Sequence, residues 1–86
     1  MQNLVLTPNA LDDLEFWAHS NPKTLKQIFK LFKDITREPF KGLGKPEPLR
    51  YNLQGCWSRR IDLEHRLVYR VQNEQIQILS CRYHYK

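Results

Sequence analysis

Prolines punctuate the first half of this chain and fix what it can fold into. Pro8, Pro22 and Pro39 each lock φ and lack an amide N–H, so each fits the first turn of a helix and stops a helix elsewhere. Thr7-Pro8 and Asn21-Pro22 both read as a capping residue followed by proline at the first helical position. Leu11, Leu14, Trp17 and Ala18 then recur at helical spacing, which predicts a first helix ending near Ser20. Leu25, Ile28, Phe29, Phe32 and Ile35 form one apolar stripe of a second helix, which must end near Glu38 because Pro39 follows. Ahead of the first proline, Gln2 to Leu6 is a short apolar run, read as a strand.

Beyond Pro39 the pattern changes. Phe40 to Leu49 is a loop of Gly, Lys and Pro whose glycine spacing does not match a P-loop. Three strand-like segments come next: Trp57 to Asp62, His65 to Val71 and Ile76 to Tyr83, the last two joined by a turn at Gln72-Asn73-Glu74-Gln75. The order predicts a single α+β domain over 1–86, with an N-terminal strand, two helices and then an antiparallel sheet carrying the helices on one face. Leu67, Tyr69, Val71, Ile76 and Ile78 belong under the helices, and Arg66, Val68, Arg70, Gln77, Leu79 and Cys81 on the opposite face.

Charge bears on partners. The chain has 86 residues and a formal net charge of +5. A small basic domain suits a polyanion, either nucleic acid or an acidic protein, and is equally compatible with plain solubility. On the second helix Lys23, Lys26, Lys30, Lys33 and Arg37 fall within about 80° of one another, which reads either as a solvated face or as a row of phosphate contacts on a large RNA. No segment is apolar enough to span a membrane and the N-terminus lacks a signal-peptide pattern, so a cytoplasmic protein is expected. Cys56 and Cys81 then read as reduced thiols of the core strands. His19, His65 and His84 have no acid or thiol at zinc-ligand spacing, and neither a metal nor a cofactor is expected.

Three residues carry candidate chemistry. Glu47 stands between Pro46 and Pro48, on a stem whose stiffness suits a positioned general base, or it is a loop carboxylate paired with Lys45 or Arg50. Arg66, inside an otherwise apolar strand, offers a planar fork to a phosphate, or forms a salt bridge with Glu64 or Asp62. His84, between Tyr83 and Tyr85, can give a proton to a leaving oxygen while a tyrosine stacks on a base; alone, it would read as an idle terminal residue. Of Arg59 and Arg60, strand alternation lets only one join Arg66.

Four blocks resemble the YoeB/Txe toxins of bacterial toxin–antitoxin pairs, within the RelE-like superfamily. They are Gly44-Lys45-Pro46-Glu47-Pro48-Leu49, Trp57-Ser58-Arg59-Arg60-Ile61, Glu64-His65-Arg66-Leu67-Val68-Tyr69 and Cys81-Arg82-Tyr83-His84-Tyr85. The resemblance implies a microbial-RNase-like fold and a ribosome-dependent mRNA endonuclease working without a metal. In that chemistry a 2′-hydroxyl attacks the adjacent phosphate, leaving a 2′,3′-cyclic phosphate and a 5′-hydroxyl. Glu47 matches the family's base, His84 its acid and Arg66 the arginine that stabilises the phosphorane-like transition state. Tyr85, Arg50, Arg59 and Tyr83 are the substrate-contact candidates; Arg50 stands where the family often has lysine, and Lys86 extends the chain one residue past Tyr85. The lysine stripe would hold ribosomal RNA. Implied partners are an acidic antitoxin of the YefM/Axe kind, the ribosome with its mRNA, a second copy of the chain, and operator DNA only through the antitoxin complex. The alternative is a non-catalytic module that binds nucleic acid or antitoxin. The site also makes a geometric demand. A two-residue turn at Asn73-Glu74 places Arg66 opposite Cys81 and His84 on the other face, so the ladder must bulge or end after about Arg82.

Overall fold

The computed structural model describes residues 2–83, and His84, Tyr85 and Lys86 lie outside the described residues. Strand β1 (Asn3–Leu6) leads into helices α1 (Pro8–Ser20) and α2 (Pro22–Arg37). Next come a two-residue strand β2 (Glu47–Pro48), a 3-10 turn (Tyr51–Leu53) and strands β3 (Cys56–Arg60), β4 (Arg66–Gln72) and β5 (Gln75–Ser80). The sheet order is β1-β5-β4-β3-β2, antiparallel throughout except that β1 joins β5 in parallel. No helix among the described residues is long and apolar enough to cross a membrane.

The proline signals set both helix starts, by different means. The Thr7 side chain accepts the Ala10 N–H at 3.1 Å, the cap the sequence predicts. Asn21 makes no such bond, and only Pro22 marks that start. Each helix is turned slightly from its predicted face. α1 buries Ala10, Asp13, Leu14 and Trp17 and leaves Leu11 and Ala18 exposed; α2 buries Ile28, Leu31, Phe32 and Ile35 and leaves Phe29 exposed.

The core lies between the helices and one face of the sheet, where Leu67, Tyr69, Ile76 and Ile78 are fully buried. At the β4–β5 hairpin Asn73 and Glu74 both have positive φ (53° and 61°) between paired Gln72 and Gln75, a two-residue turn whose twist suits the strands. The predicted break in the ladder is present as a bulge. Tyr69 pairs with Ile78 but Val68 pairs with Ser80, so Leu79 is the extra residue. Past it the alternation inverts, and this corrects the placement of Cys81. Cys81 is buried in the helix-side core with Ile76 and Ile78, not on the face of Arg66. That opposite face is partly covered too, by a small cluster of Leu49, Cys56 and Val68 with Leu53 and Leu79 against it. Burial pushes the Cys81 thiol far above its usual range, with the nearby Asp13 charge adding to it.

Arg59 ties the layers together. It is fully buried, on the helix side of β3, and all five of its N–H groups are satisfied. Nε donates to the Tyr69 hydroxyl at 3.1 Å, Nη1 to Asp34 and to the Leu43 carbonyl, and Nη2 to the Glu38 and Lys41 carbonyls at 2.7 and 3.0 Å. The Tyr69 hydroxyl in turn donates to the Pro39 carbonyl at 2.6 Å. One guanidinium thus joins the end of α2, the 38–43 segment and β4. Gly42 fits this packing because its φ is +124° and a Cβ would strike the Asp34 carboxylate. The Leu43 N–H, and then Arg59, hold the Asp34 carboxyl below the usual carboxylate range despite its partial desolvation.

Two outcomes are expected. Arg59→Ala removes one partner of a buried ion pair and orphans several carbonyls, so urea unfolding should show a loss of about 3–5 kcal/mol; a loss under about 1 kcal/mol would mean the network is dispensable. Because the folded-state pKa of Asp34 is depressed, its contribution is present above the ordinary value of 3.8 and lost as pH falls through the lower folded value. The stability gap between wild type and Asp34→Asn should therefore be widest above about pH 5 and shrink on further acidification. A gap constant across that range would contradict the assignment.

Candidate active site

Glu47 reaches the sheet through the loop that Arg59 holds. Beyond Leu43, Gly44 (φ +79°) accepts the Arg60 N–H on its carbonyl at 2.6 Å. A Cβ on Gly44 would lie 2.9 Å from the Arg60 carbonyl oxygen, so only glycine lets the loop approach β3 this closely. Pro46 and Pro48 then keep the chain extended, and Glu47-Pro48 pairs with β3 as a two-residue edge strand. The sequence reading of this segment as a plain loop missed that strand.

Cross-strand partners point to one face, so the register places the side chains. Glu47 lies opposite Ser58, Ser58 opposite Val68, and Arg60 opposite Arg66. Glu47, Ser58, Arg60 and Arg66 therefore share the face away from the helices. There Arg66 Nη1 donates to Glu47 Oε1 at 3.2 Å. The Arg66 side chain is 12% exposed and that of Glu47 49%, which leaves a carboxylate open to solvent beside a largely enclosed guanidinium. The Ser58 hydroxyl is buried next to them without a hydrogen-bond partner among the described residues.

Arg59, a substrate-contact candidate in the sequence, is corrected here. Its guanidinium is enclosed and fully used by the protein, and none of it faces a substrate. Its neighbour Arg60 is exposed and takes the place on Arg66's face. The signal was present: Arg59 shares strand parity with Trp57, a core residue type, and Arg60 does not.

The remaining candidates are scattered. Arg50 is exposed at the start of the 3-10 turn, two residues past β2. Tyr83 is 58% exposed, and its backbone adopts a positive φ of 67°. Lys23, Lys26, Lys30, Lys33 and Arg37 lie along α2, across the sheet from the Glu47–Arg66 face, and all five are exposed. His84 and Tyr85 fall outside the described residues. Among the described residues no three His, Cys, Asp or Glu side chains converge as a metal site would require.

Comparison with known proteins bears on the family and the fold. The family model described as the YoeB-like toxin of bacterial type II toxin–antitoxin systems matches residues 6–85. The chain belongs to that family. Toxin YoeB of Escherichia coli K12 is 49% identical over 82 residues, covering 95% of this chain and 98% of its own. A solved YoeB/ParE toxin from Agrobacterium tumefaciens superposes with a TM-score of 0.93 at 45% identity, covering 96% of this chain and 99% of its own. The YoeB–YefM complex from Staphylococcus aureus matches at TM-score 0.88 and 45% identity over 99% of both chains, and a YoeB dimer from the same organism at 0.89 and 45% over 98% of both. A toxin in the RelBE2 complex of Mycobacterium tuberculosis, 30% identical, keeps the fold at TM-score 0.73 over 96% of this chain and 98% of its own.

The Glu47 end of the Glu47–Arg66 pair is half exposed, and pairs open to solvent contribute under about 1 kcal/mol. Glu47→Gln should therefore unfold at nearly the wild-type urea midpoint. A large drop would show that the carboxylate is structural and disqualify the variant as a probe of chemistry.

Proposed function

We propose that this chain is a ribosome-dependent mRNA endoribonuclease toxin, cutting mRNA in the ribosomal A site and so inhibiting translation. The observation that supports it most is the contact between Glu47 and Arg66 on the open face of the sheet. A carboxylate beside an arginine fork is what attack by a ribose hydroxyl on its own phosphate requires. The phosphate takes the fork of Arg66, and the released Glu47 carboxylate accepts the 2′-hydroxyl proton. As the 2′ oxygen bonds to phosphorus, charge builds on the non-bridging oxygens, and Arg66, with Arg60 on the same face, offsets it. His84 supplies a proton to the departing 5′ oxygen, giving a 2′,3′-cyclic phosphate and a 5′-hydroxyl. Tyr85, Tyr83 and Arg50 are assigned to holding the nucleotide. No metal has a part in this scheme.

Two further surfaces belong to the proposal. The basic row from Lys23 to Arg37 contacts ribosomal RNA through its phosphates, while the sheet face meets the mRNA. The S. aureus complex supports an acidic antitoxin of the YefM kind as the neutralising partner, and the S. aureus dimer supports self-association. Operator DNA is reached only through the antitoxin complex. A cytoplasmic setting follows from a ribosomal target.

The direct test maps mRNA ends on purified translating ribosomes. Wild type should cut in the A site. Glu47→Gln and Arg66→Ala should bind ribosomes but lose on the order of 10²-fold or more in rate. Full cutting by both variants would remove these roles, and wild type that binds without cutting would leave a binding module. Charge reversal at Lys26, Lys30 and Lys33 should weaken ribosome affinity and flatten its salt dependence. Unchanged affinity would return that row to a solvated face.

A further inference from the structure

The chain leaves the sheet under tight control. Cys81 is fixed to α1 through both backbone groups: its N–H donates to Asp13 Oδ2 at 2.8 Å, and its carbonyl accepts Trp17 Nε1–H at 2.8 Å. The Arg82 guanidinium lies 3.3 Å above the Phe16 ring centroid. Tyr83, the last described residue, is then pinned by two consecutive residues. Its N–H donates to His65 Nδ1 at 2.8 Å, and its carbonyl accepts the Arg66 N–H at 3.0 Å.

His65 is built for that task. Its backbone N–H donates to Asp62 Oδ1 at 2.7 Å, and its carbonyl accepts the Ile61 N–H at 3.0 Å. Its ring stands edge-on to Trp17, with centroids 4.8 Å apart at 84°, and its side chain is only 12% exposed. Accepting an N–H requires a lone pair on Nδ1, so the neutral ring carries its proton on Nε2, which points toward the Glu64 carboxylate at 3.7 Å. The contact has a cost to offset, because Tyr83 adopts the left-handed φ of 67° that non-glycine residues seldom take. Without an acceptor at Nδ1 that conformation loses one of its two backbone anchors.

We propose that His65 is a positioning residue of this active site. Its Nδ1 holds the Tyr83 amide and so fixes the backbone of the residue that precedes His84 in sequence. The proposal rests on the reading of His84 as the general acid. Arg66 gives it a mechanical logic: the same residue donates its backbone N–H to the Tyr83 carbonyl and its guanidinium to Glu47, so Glu47, Arg66 and Tyr83 meet at one strand start.

The test separates the acceptor from the ring. Asn at position 65 can place its amide oxygen where Nδ1 sits, whereas Gln carries its amide one bond further out and Ala has no acceptor. Single-turnover cleavage on mRNA-programmed ribosomes, ribosome affinity and exchange of the Tyr83 amide by NMR are measured for His65→Asn, His65→Gln and His65→Ala. His65→Gln and His65→Ala should cut about 10- to 100-fold more slowly with ribosome affinity unchanged, and their Tyr83 amide should exchange faster. His65→Asn should recover most of the rate and of the protection. Wild-type rates in the Gln and Ala variants would overturn the proposal. So would an Asn variant as slow as Ala, since packing on Trp17 would then be the cause. Wild type that never cuts would instead remove the nuclease reading, and the positioning role with it.

Discussion

A buried guanidinium sets the architecture of this domain. Arg59 sits in the core between α2 and the sheet, where an unpaired charge would be prohibitive. The chain meets that demand by bringing three carbonyls, one carboxylate and one tyrosine hydroxyl to it from α2, the segment after it and β4. The 38–43 segment is held as well by the Tyr69 hydroxyl on the Pro39 carbonyl, the Leu43 N–H on Asp34 and the Phe40 ring against Trp57. Its fixed path follows from the acceptors that the arginine and its partners need.

The site inherits that fixity. Once Leu43 is held, Gly44 brings the chain onto Arg60, and Glu47-Pro48 then lies along β3 as an edge strand with Glu47 facing Arg66. Two adjacent arginines therefore have opposite tasks. Arg59 faces inward and orders the loop that carries the carboxylate; Arg60 faces outward, on the face where that carboxylate stands. Alternation along one strand separates scaffold from surface with no residue between them.

Much of this was legible in the sequence because it is local. The prolines bound both helices, Asn73-Glu74 formed the two-residue turn, and the four motif blocks pointed to Glu47 and Arg66. The features that escaped depend on contacts distant along the chain. Strand β2 exists only because β3 lies beside it, and nothing in a Pro-Glu-Pro segment announces a strand. The parallel pairing of β1 with β5 joins residues about seventy positions apart, beyond the reach of a periodicity. Leu79 looks like any alternating apolar residue, yet the bulge there sends Cys81 into the core and reverses the parity of the residues after it. The choice between Arg59 and Arg60 was decidable from Trp57, whose parity Arg59 shares. His65 went unassigned because its partner is a backbone amide, which no side-chain pattern reveals.

The central claim is that Glu47 and Arg66 serve attack by a ribose hydroxyl on its own phosphate. It is tested most directly by an mRNA carrying a single 2′-deoxynucleotide on the 5′ side of the scissile phosphate, set in the A site of purified ribosomes. The account predicts that the wild-type chain leaves this mRNA intact while cutting the all-ribose control to a 2′,3′-cyclic phosphate and a 5′-hydroxyl. Cleavage of the deoxy-substituted mRNA at the same position and a comparable rate would contradict it.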